Sequence, residues 1–191
     1  PPVAPYSENF LVKIKKRNLL VLYLINIIHG FVIGMYNSVY QSHLYDSTLN
    51  EFLVGVIQST GFLMMLIAML LSGLLADKIG KKTLIFIGTS LFMGGFAILY
   101  FGRSIPLLIL GSMLIFGGFG TLDPSWLTII SENTNEKNRG LVYGFIFFFF
   151  FGGSILGAFM VRLLENSQII LEIGLGFSAS FYFLVSIGLI L

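Results

Sequence analysis

Residues 73–84 read GLLADKIGKKTL and separate two long apolar runs of the chain. The runs cover residues 49–76 and 83–101. A helix rises about 1.5 Å per residue, so roughly 20 residues are needed to cross a hydrocarbon core of about 30 Å. Gly80 suits a tight turn between two helices because glycine tolerates backbone angles that other residues avoid. The stretch therefore predicts two antiparallel membrane helices joined by a short, charged connection.

The composition of the whole chain supports a membrane protein. Hydrophobic residues make up 56% of the 191 residues and charged residues only 10%, and the mean hydropathy is +0.92. A soluble domain of this length would need more charge on its surface. The chain has no cysteine, which excludes disulfides, thiolate metal sites and a cysteine nucleophile. Its net charge of +2 argues against a nucleic-acid partner.

Apolar runs of membrane-spanning length recur along the chain. We predict an all-α membrane protein in which a cytoplasmic segment, residues 1–17, precedes one bundle of six transmembrane helices over residues 18–191. The predicted helices cover residues 18–41, 49–76, 83–101, 105–130, 140–164 and 169–191. A capping box of Thr48 and Glu51 should open the second helix, and Ser104 with Pro106 should open the fourth. We further predict two inverted repeats of three helices each, residues 18–101 and 105–191.

The basic residues predict the orientation in the membrane. Nine of the eleven precede the first helix or follow the second and fourth helices: Lys13, Lys15, Lys16, Arg17, Lys78, Lys81, Lys82, Lys137 and Arg139. Only Arg103 and Arg162 fall on the opposite side. Because positive charge marks cytoplasmic loops, the amino terminus should be cytoplasmic and the loops near Asp46 and Glu165 should face outward. We expect a multi-pass protein of the cell (plasma) membrane.

The stretch 73–84 resembles, position for position, the signature G-x-L-A-D-[RK]-x-G-[RK]-[RK]-x-[LI] of the major facilitator superfamily. Its defining positions are Gly73, Asp77, Lys78, Gly80, Lys81 and Lys82. The alternative is an ordinary basic loop, but a chance match at the five most restrictive positions occurs about once in a hundred thousand start sites. The resemblance implies a conformational latch that holds two transporter halves together in the outward-facing state, in which Asp77 contacts the second half.

A second segment carries the same resemblance. Residues 132–140 read ENTNEKNRG, with Gly144 following, and resemble the family's acidic end of the fourth helix and the E-x-x-R-G-x-x-x-G start of the fifth. The resemblance implies that Glu132 pairs with a basic residue of the 77–82 loop, foremost Lys81, and that Glu132 and Arg139 belong to the latch. Two solvated surface charges are the alternative, since exposed pairs stabilise by only about 0–1 kcal/mol.

Two departures from the family pattern limit what the resemblance implies. Ser112 stands where many proton-coupled members carry an arginine in the fourth helix, so that role in proton coupling does not transfer. Gly144, Gly153 and Gly157 match part of the fifth-helix signature of drug antiporters, but its proline and last glycine are replaced. These glycines more simply predict that the fifth helix packs closely against a neighbouring helix.

One carboxylate lies inside a predicted span. Asp123 is followed by Pro124, and three glycines lie just before it. An ionisable side chain costs about 2.5–3.5 kcal/mol at the centre of a membrane helix, so such groups are candidates for function. Proline also removes a helical hydrogen bond, and a carboxylate beside a weakened helix is typical of a substrate or proton site. Asp123 would carry a proton or pair with a cationic substrate. The alternative is a structural role, in which its carboxylate reaches headgroup water or pairs with a backbone group.

Polar and small residues also follow one face of the first helix. They are Asn26, Gly30, Gly34, Asn37 and Gln41, at spacings of three and four. Such a stripe faces the bundle or a cavity rather than lipid. Tyr36 and Tyr40 flank it and could stack on a substrate. For His29, near the middle of the helix, a buried hydrogen-bonded histidine and a proton relay both stay open. The candidate pathway residues are His29, Asn37, Tyr40, Gln41 and Asp123.

Together these features predict a secondary transporter of small solutes that works by alternating access. The chain would be the amino-terminal half of a twelve-helix protein, or a half that pairs with another six-helix unit. Its other partners would be a small-molecule substrate and the lipid bilayer. A non-transporting scaffold or receptor of the same fold is the rival interpretation. We expect no enzyme activity, cofactor or metal, since motifs such as H-E-x-x-H and G-x-S-x-G do not occur.

Overall fold

A computed structural model describes residues 16–132, 134 and 136–164, together with isolated positions beyond them. Those positions are Ile173, Gly176, Ser178, Ala179, Tyr182 and Val185. The predicted sixth helix, residues 169–191, and most of the cytoplasmic segment 1–17 therefore lie outside the described residues. The predictions of six spans and of two three-helix repeats stay predictions.

Five α-helices form the described part of the chain. They are α1 (Lys16–Thr48), α2 (Glu51–Ile79), α3 (Lys81–Phe101), α4 (Ile105–Glu132) and α5 (Arg139–Leu164), with a short 3-10 helix, Glu136–Asn138, before α5. Four segments within the described residues are long and apolar enough to cross a membrane: Glu51–Ile79, Lys81–Phe101, Ile105–Ser131 and Glu136–Leu164. The chain is thus a membrane protein built from helices.

The connection between α2 and α3 is shorter than predicted. Gly80 alone separates the two helices, and its φ of 85° lies in the left-handed region. Its N–H donates to the carbonyl oxygen of Ala76 at 3.2 Å. The two helices extend three and two residues beyond the approximate ends predicted at residues 76 and 83, because a glycine with positive φ turns the chain within one residue. Asp77 and Lys78 consequently lie in the last turn of α2 rather than in a loop.

The start of α2 also differs from the prediction. The side-chain oxygen of Asn50 accepts hydrogen bonds from the N–H groups of Phe52 at 2.9 Å and Leu53 at 3.3 Å. Thr48 instead donates its hydroxyl back to the carbonyl of Leu44. The predicted capping box is therefore wrong, and Asn50 performs the N-cap role that asparagine commonly fills. The predicted start of α4 after residue 104 is confirmed.

The backbones of α1 and α5 are in direct contact. A Cβ added at Gly30 would lie 1.9 Å from the carbonyl oxygen of Phe150, and one added at Gly157 would lie 2.1 Å from that of Phe31. Because the obstacle in each case is main chain, no side-chain rearrangement can make room. Small residues permit such close approach of membrane helices.

The fifth-helix glycines therefore behave only partly as predicted. Gly153 and Gly157 both pack on the main chain of α1, which confirms close packing of α5 at these positions. Gly144 has nothing within 4 Å, so the prediction is wrong there among the described residues.

Helix α4 lies against both α2 and α3. A Cβ at Gly118 would approach the carbonyl oxygen of Gly88 in α3 to 2.6 Å, and one at Gly120 would approach that of Met65 in α2 to 2.3 Å. These glycines serve helix packing, and α4 runs through Pro124 as one continuous helix. The span is therefore not broken at Pro124, and the predicted weakening of the helix by the proline stays a prediction.

The helix pairing follows a regular pattern. Helix α1 packs chiefly along α5, and α4 packs along α2 and α3, whereas α1 and α2 touch only slightly. The first helix of each predicted repeat thus packs on the second helix of the other repeat. That exchange is what a two-fold axis relating residues 18–101 to residues 105–191 would produce.

Candidate transport pathway

Aromatic side chains hold α1 against α4. The rings of Tyr36 and Tyr40 lie 4.5 Å apart between centroids, and both side chains are buried. Phe116 of α4 meets both rings edge-on, at 6.2 Å from Tyr36 and 6.1 Å from Tyr40. Edge-on and offset contacts of this kind stabilise aromatic clusters beyond simple burial. The α1–α4 contact is therefore made by side chains, in contrast to the backbone contact between α1 and α5.

A buried hydroxyl joins three helices beside this cluster. The Ser112 hydroxyl donates to the carbonyl oxygen of Ile57 in α2 at 3.3 Å, and the Tyr40 hydroxyl is hydrogen-bonded to the same serine oxygen. A hydroxyl has one proton, so Tyr40 is the donor in its bond to Ser112. Tyr40, predicted to line the pathway, is instead enclosed in this junction of α1, α2 and α4.

His29 lies in an aromatic enclosure. Its ring is stacked 5.4 Å from Phe119 of α4 and meets Phe92 of α3 at 5.9 Å and Phe150 of α5 at 5.4 Å. Only 6% of the side chain is exposed. This position matches the buried-histidine interpretation rather than a residue that borders an open pathway.

The residues of the predicted polar stripe of α1 fall into a buried group and an exposed group. Asn26 is buried, and Gly30 and Gly34 lie against the main chain of α5. Further along the helix, Asn37 and Gln41 are exposed. Amide side chains are costly to leave unpaired in an apolar medium. Their exposure on a helix of this bundle therefore indicates a face turned toward a cavity or a second half rather than toward lipid.

Asp123 lies on the side of α4 that faces α1. Ser112, Phe116, Phe119 and Asp123 follow one another at spacings of four, three and four residues, which places them on one helix face. The first three contact α1. Asp123 itself is half-buried, and its carboxylate makes no hydrogen bond or ion pair with any residue in the described part of the chain.

The two exposed amides and the carboxylate lie at different depths. Leu122 packs with Ile25 of α1, so Asp123 is level with the first turns of that helix. Asn37 lies twelve residues further along α1, or roughly 18 Å at 1.5 Å per residue. A small solute cannot touch both levels at once. Asn37, Gln41 and Asp123 would therefore act at successive points of one surface, called here the α1–α4 face.

The predicted latch residues cluster at the end of the bundle where α2 meets α3 and α4 meets α5. Gly73, Asp77 and Lys78 are exposed in the last turns of α2, and a Cβ at Gly73 would meet nothing within 4 Å. The face that these residues share is therefore exposed in the described part of the chain.

The remaining latch residues flank this face. Lys82 is exposed and Lys81 half-buried at the start of α3. Arg139 is the first residue of α5, and its Nε is buried without a hydrogen-bond partner among the described residues. Glu132 ends α4, but its side chain lies outside the described residues, so its predicted pairing with Lys81 stays a prediction.

These features define a membrane helix bundle of transporter type. Residues 22–191 match the family model of the Major Facilitator Superfamily, and the chain belongs to that family. The Gallate transporter of Pseudomonas putida is 28% identical over 163 residues, which cover 83% of this chain and 34% of that protein. The Minor myo-inositol transporter of Bacillus subtilis (strain 168) is 38% identical over 71 residues, or 37% of this chain and 16% of that protein.

Solved structures show the same fold. The POT family transporter PepTSo superposes with a TM-score of 0.77 at 20% identity, covering 90% of this chain and 37% of that one. A peptide transporter POT in complex with sulfate gives 0.69 at 22% identity, covering 91% and 37%. The chain therefore spans roughly a third of the length of these proteins.

Proposed function

We propose that this chain is the amino-terminal half of a secondary transporter that moves small solutes across the cell membrane by alternating access. The observation that carries the proposal is family membership over residues 22–191. The low burial of α2 and α5 supports a second half that packs on them. Only 17% of the most apolar stretch of α2 or of α5 is buried, against 56% for α4. The open faces of α2 and α5 would contact the second six-helix unit as well as lipid.

The proposed orientation follows the charge distribution. The amino terminus, the α2–α3 connection and the α4–α5 connection would be cytoplasmic, because nine of the eleven basic residues fall there. Asn37 and Gln41 would then lie in the outer half of the membrane and Asp123 in the inner half. These three residues are the proposed pathway contacts, whereas His29 and Tyr40 would support the helix packing around them.

The relatives' names suggest two candidate solutes of different chemistry. Gallate is a carboxylate, and myo-inositol is an uncharged polyol. Each name belongs to a protein that shares only part of its length with this chain. Both are therefore useful first solutes in a transport assay rather than assigned substrates.

Transport by the full-length protein in lipid vesicles separates a transporter from a scaffold of the same fold. We expect exchange of a labelled solute across the membrane, and we expect Asp77→Asn to slow it at least tenfold with membrane insertion nearly intact. The exposed Asp77 would contact the second half in one conformational state only, so its loss shifts the balance between states.

Glu51→Gln is the matched control, because it removes an exposed carboxylate from the other end of α2. It should leave the exchange rate unchanged. Absence of any flux that depends on the protein would favour the scaffold. Exchange at the normal rate in Asp77→Asn would show that the latch interpretation is wrong for this protein.

A further inference from the structure

The charges of this half are unevenly placed along the proposed pathway. Its eleven lysines and arginines all lie in the first or last turns of helices, in connections or before α1, and residues 163–191 contain none. No permanent cation of this half therefore lies within the interior of a span. The two histidines, His29 and His43, both lie in α1. His29 is enclosed by three phenyl rings, and His43 is half-buried near the end of the helix.

The groups proposed to border the pathway are one carboxylate and two amides. Asp123 offers two carboxylate oxygens and has no partner among the described residues. Asn37 and Gln41 are exposed, and each offers one amide oxygen and one NH₂ group. A carboxylate accepts hydrogen bonds and attracts positive charge, but it repels an anion that passes it.

We infer that the substrate is a neutral or cationic solute rich in hydrogen-bond donors, such as a polyol or an amine, and that anions are rejected. The inference rests on the proposed function, because it requires a solute to pass along the α1–α4 face. Hydroxyl and ammonium groups can both donate to Asp123, and the amides of Asn37 and Gln41 can bind hydroxyls in either sense. Anions would be rejected because the carboxylate of Asp123 repels them and no permanent cation of this half lies inside a span to offset that repulsion.

The test compares solutes that differ in charge but not in shape. Uptake by the full-length protein in lipid vesicles is measured for gallate and for its uncharged amide, 3,4,5-trihydroxybenzamide. Myo-inositol and dopamine serve as the polyol and the amine. Rates are taken relative to vesicles without protein, and binding of each solute is measured in parallel by its shift of the unfolding temperature.

We expect at least one uncharged or cationic solute to enter ten or more times faster than gallate, with the amide faster than gallate itself. Uptake of gallate at an equal or higher rate than the amide would overturn the inference and leave transport standing. Failure of the uncharged and cationic solutes to enter or bind would also overturn it. Absence of flux and binding for all four would count against the proposed function as well.

Asp123→Asn shows whether the carboxylate is the source of the discrimination. The variant should reduce the ratio of amide to gallate uptake at least fivefold, while Asp46→Asn, an exposed carboxylate near the outer end of α1, should leave the ratio unchanged. Both rates come from one preparation, so the ratio does not depend on how much variant protein folds. An unchanged ratio in Asp123→Asn would overturn the role assigned to this residue.

Discussion

Gly30→Ala will destabilise the full-length protein by about 3 kcal/mol or more, at the upper end of what overpacking costs. The new methyl group would lie 1.9 Å from the carbonyl oxygen of Phe150, so α1 and α5 must separate along their length. Separation would disrupt the aromatic contacts of His29 with Phe150 and the packing of Gly153 and Gly157. The measurement is the thermal unfolding of the purified protein in detergent, followed by the yield of folded protein.

Gly152→Ala is the control, because it places the same methyl group on α5 where nothing lies within 4 Å. Alanine favours a helix over glycine by about 1 kcal/mol, so this variant should be as stable as the native protein or more so. Equal stability of Gly30→Ala and Gly152→Ala would contradict the backbone contact between α1 and α5.

Asp123→Asn will abolish uphill accumulation of substrate by the full-length transporter. The carboxylate is half-buried and faces α1 without a partner among the described residues. It is therefore the group in this half best placed to carry a proton or to pair with a cationic solute. Asparagine keeps the size of the side chain but can do neither. Accumulation should fall at least tenfold, to the level set by equilibration across the membrane.

Two further measurements on this variant separate the two roles. If Asp123 carries a proton, exchange of substrate across the membrane should persist in Asp123→Asn although accumulation is lost. If it pairs with a cationic substrate, affinity should fall at every pH. Unchanged uptake, pH dependence and affinity would return Asp123 to a structural role.

The positions of the helices were predictable because the length of an apolar run sets the length of a membrane helix. Their ends were less so. Residues 42–48 are largely polar, yet α1 continues to Thr48, because a polar residue near the membrane boundary does not itself end a helix. The chain turns only at Leu49, whose φ of 51° lies in the left-handed region, and at the capping Asn50.

The candidate pathway was less accessible to sequence reasoning than the fold. Spacing places residues on one face of a helix but does not say which neighbour that face meets. Gly34 and Asn37 are three residues apart, yet one packs on α5 and the other is exposed. In the sequence, Ser112 was notable only because it replaces an arginine of the family pattern. No pattern within α4 predicted its hydrogen bonds to Tyr40 and Ile57.

Alternating access means that the α1–α4 face opens to one side of the membrane at a time. In the proposed orientation, cysteines at Asn37 and Asp123 would report the outer and inner openings, and this chain contributes no native cysteine. The measurement is the rate of modification by a membrane-impermeant maleimide, applied from outside for Asn37→Cys and from the cytoplasmic side for Asp123→Cys. Each is measured in the full-length protein with and without Asp77→Asn, with cysteines elsewhere replaced.

Loss of the latch should shift the protein toward the inward-facing state. We predict that Asp77→Asn slows modification at position 37 and speeds it at position 123 by comparable factors. Rates that rise together, or that stay unchanged at both positions, would contradict alternating access.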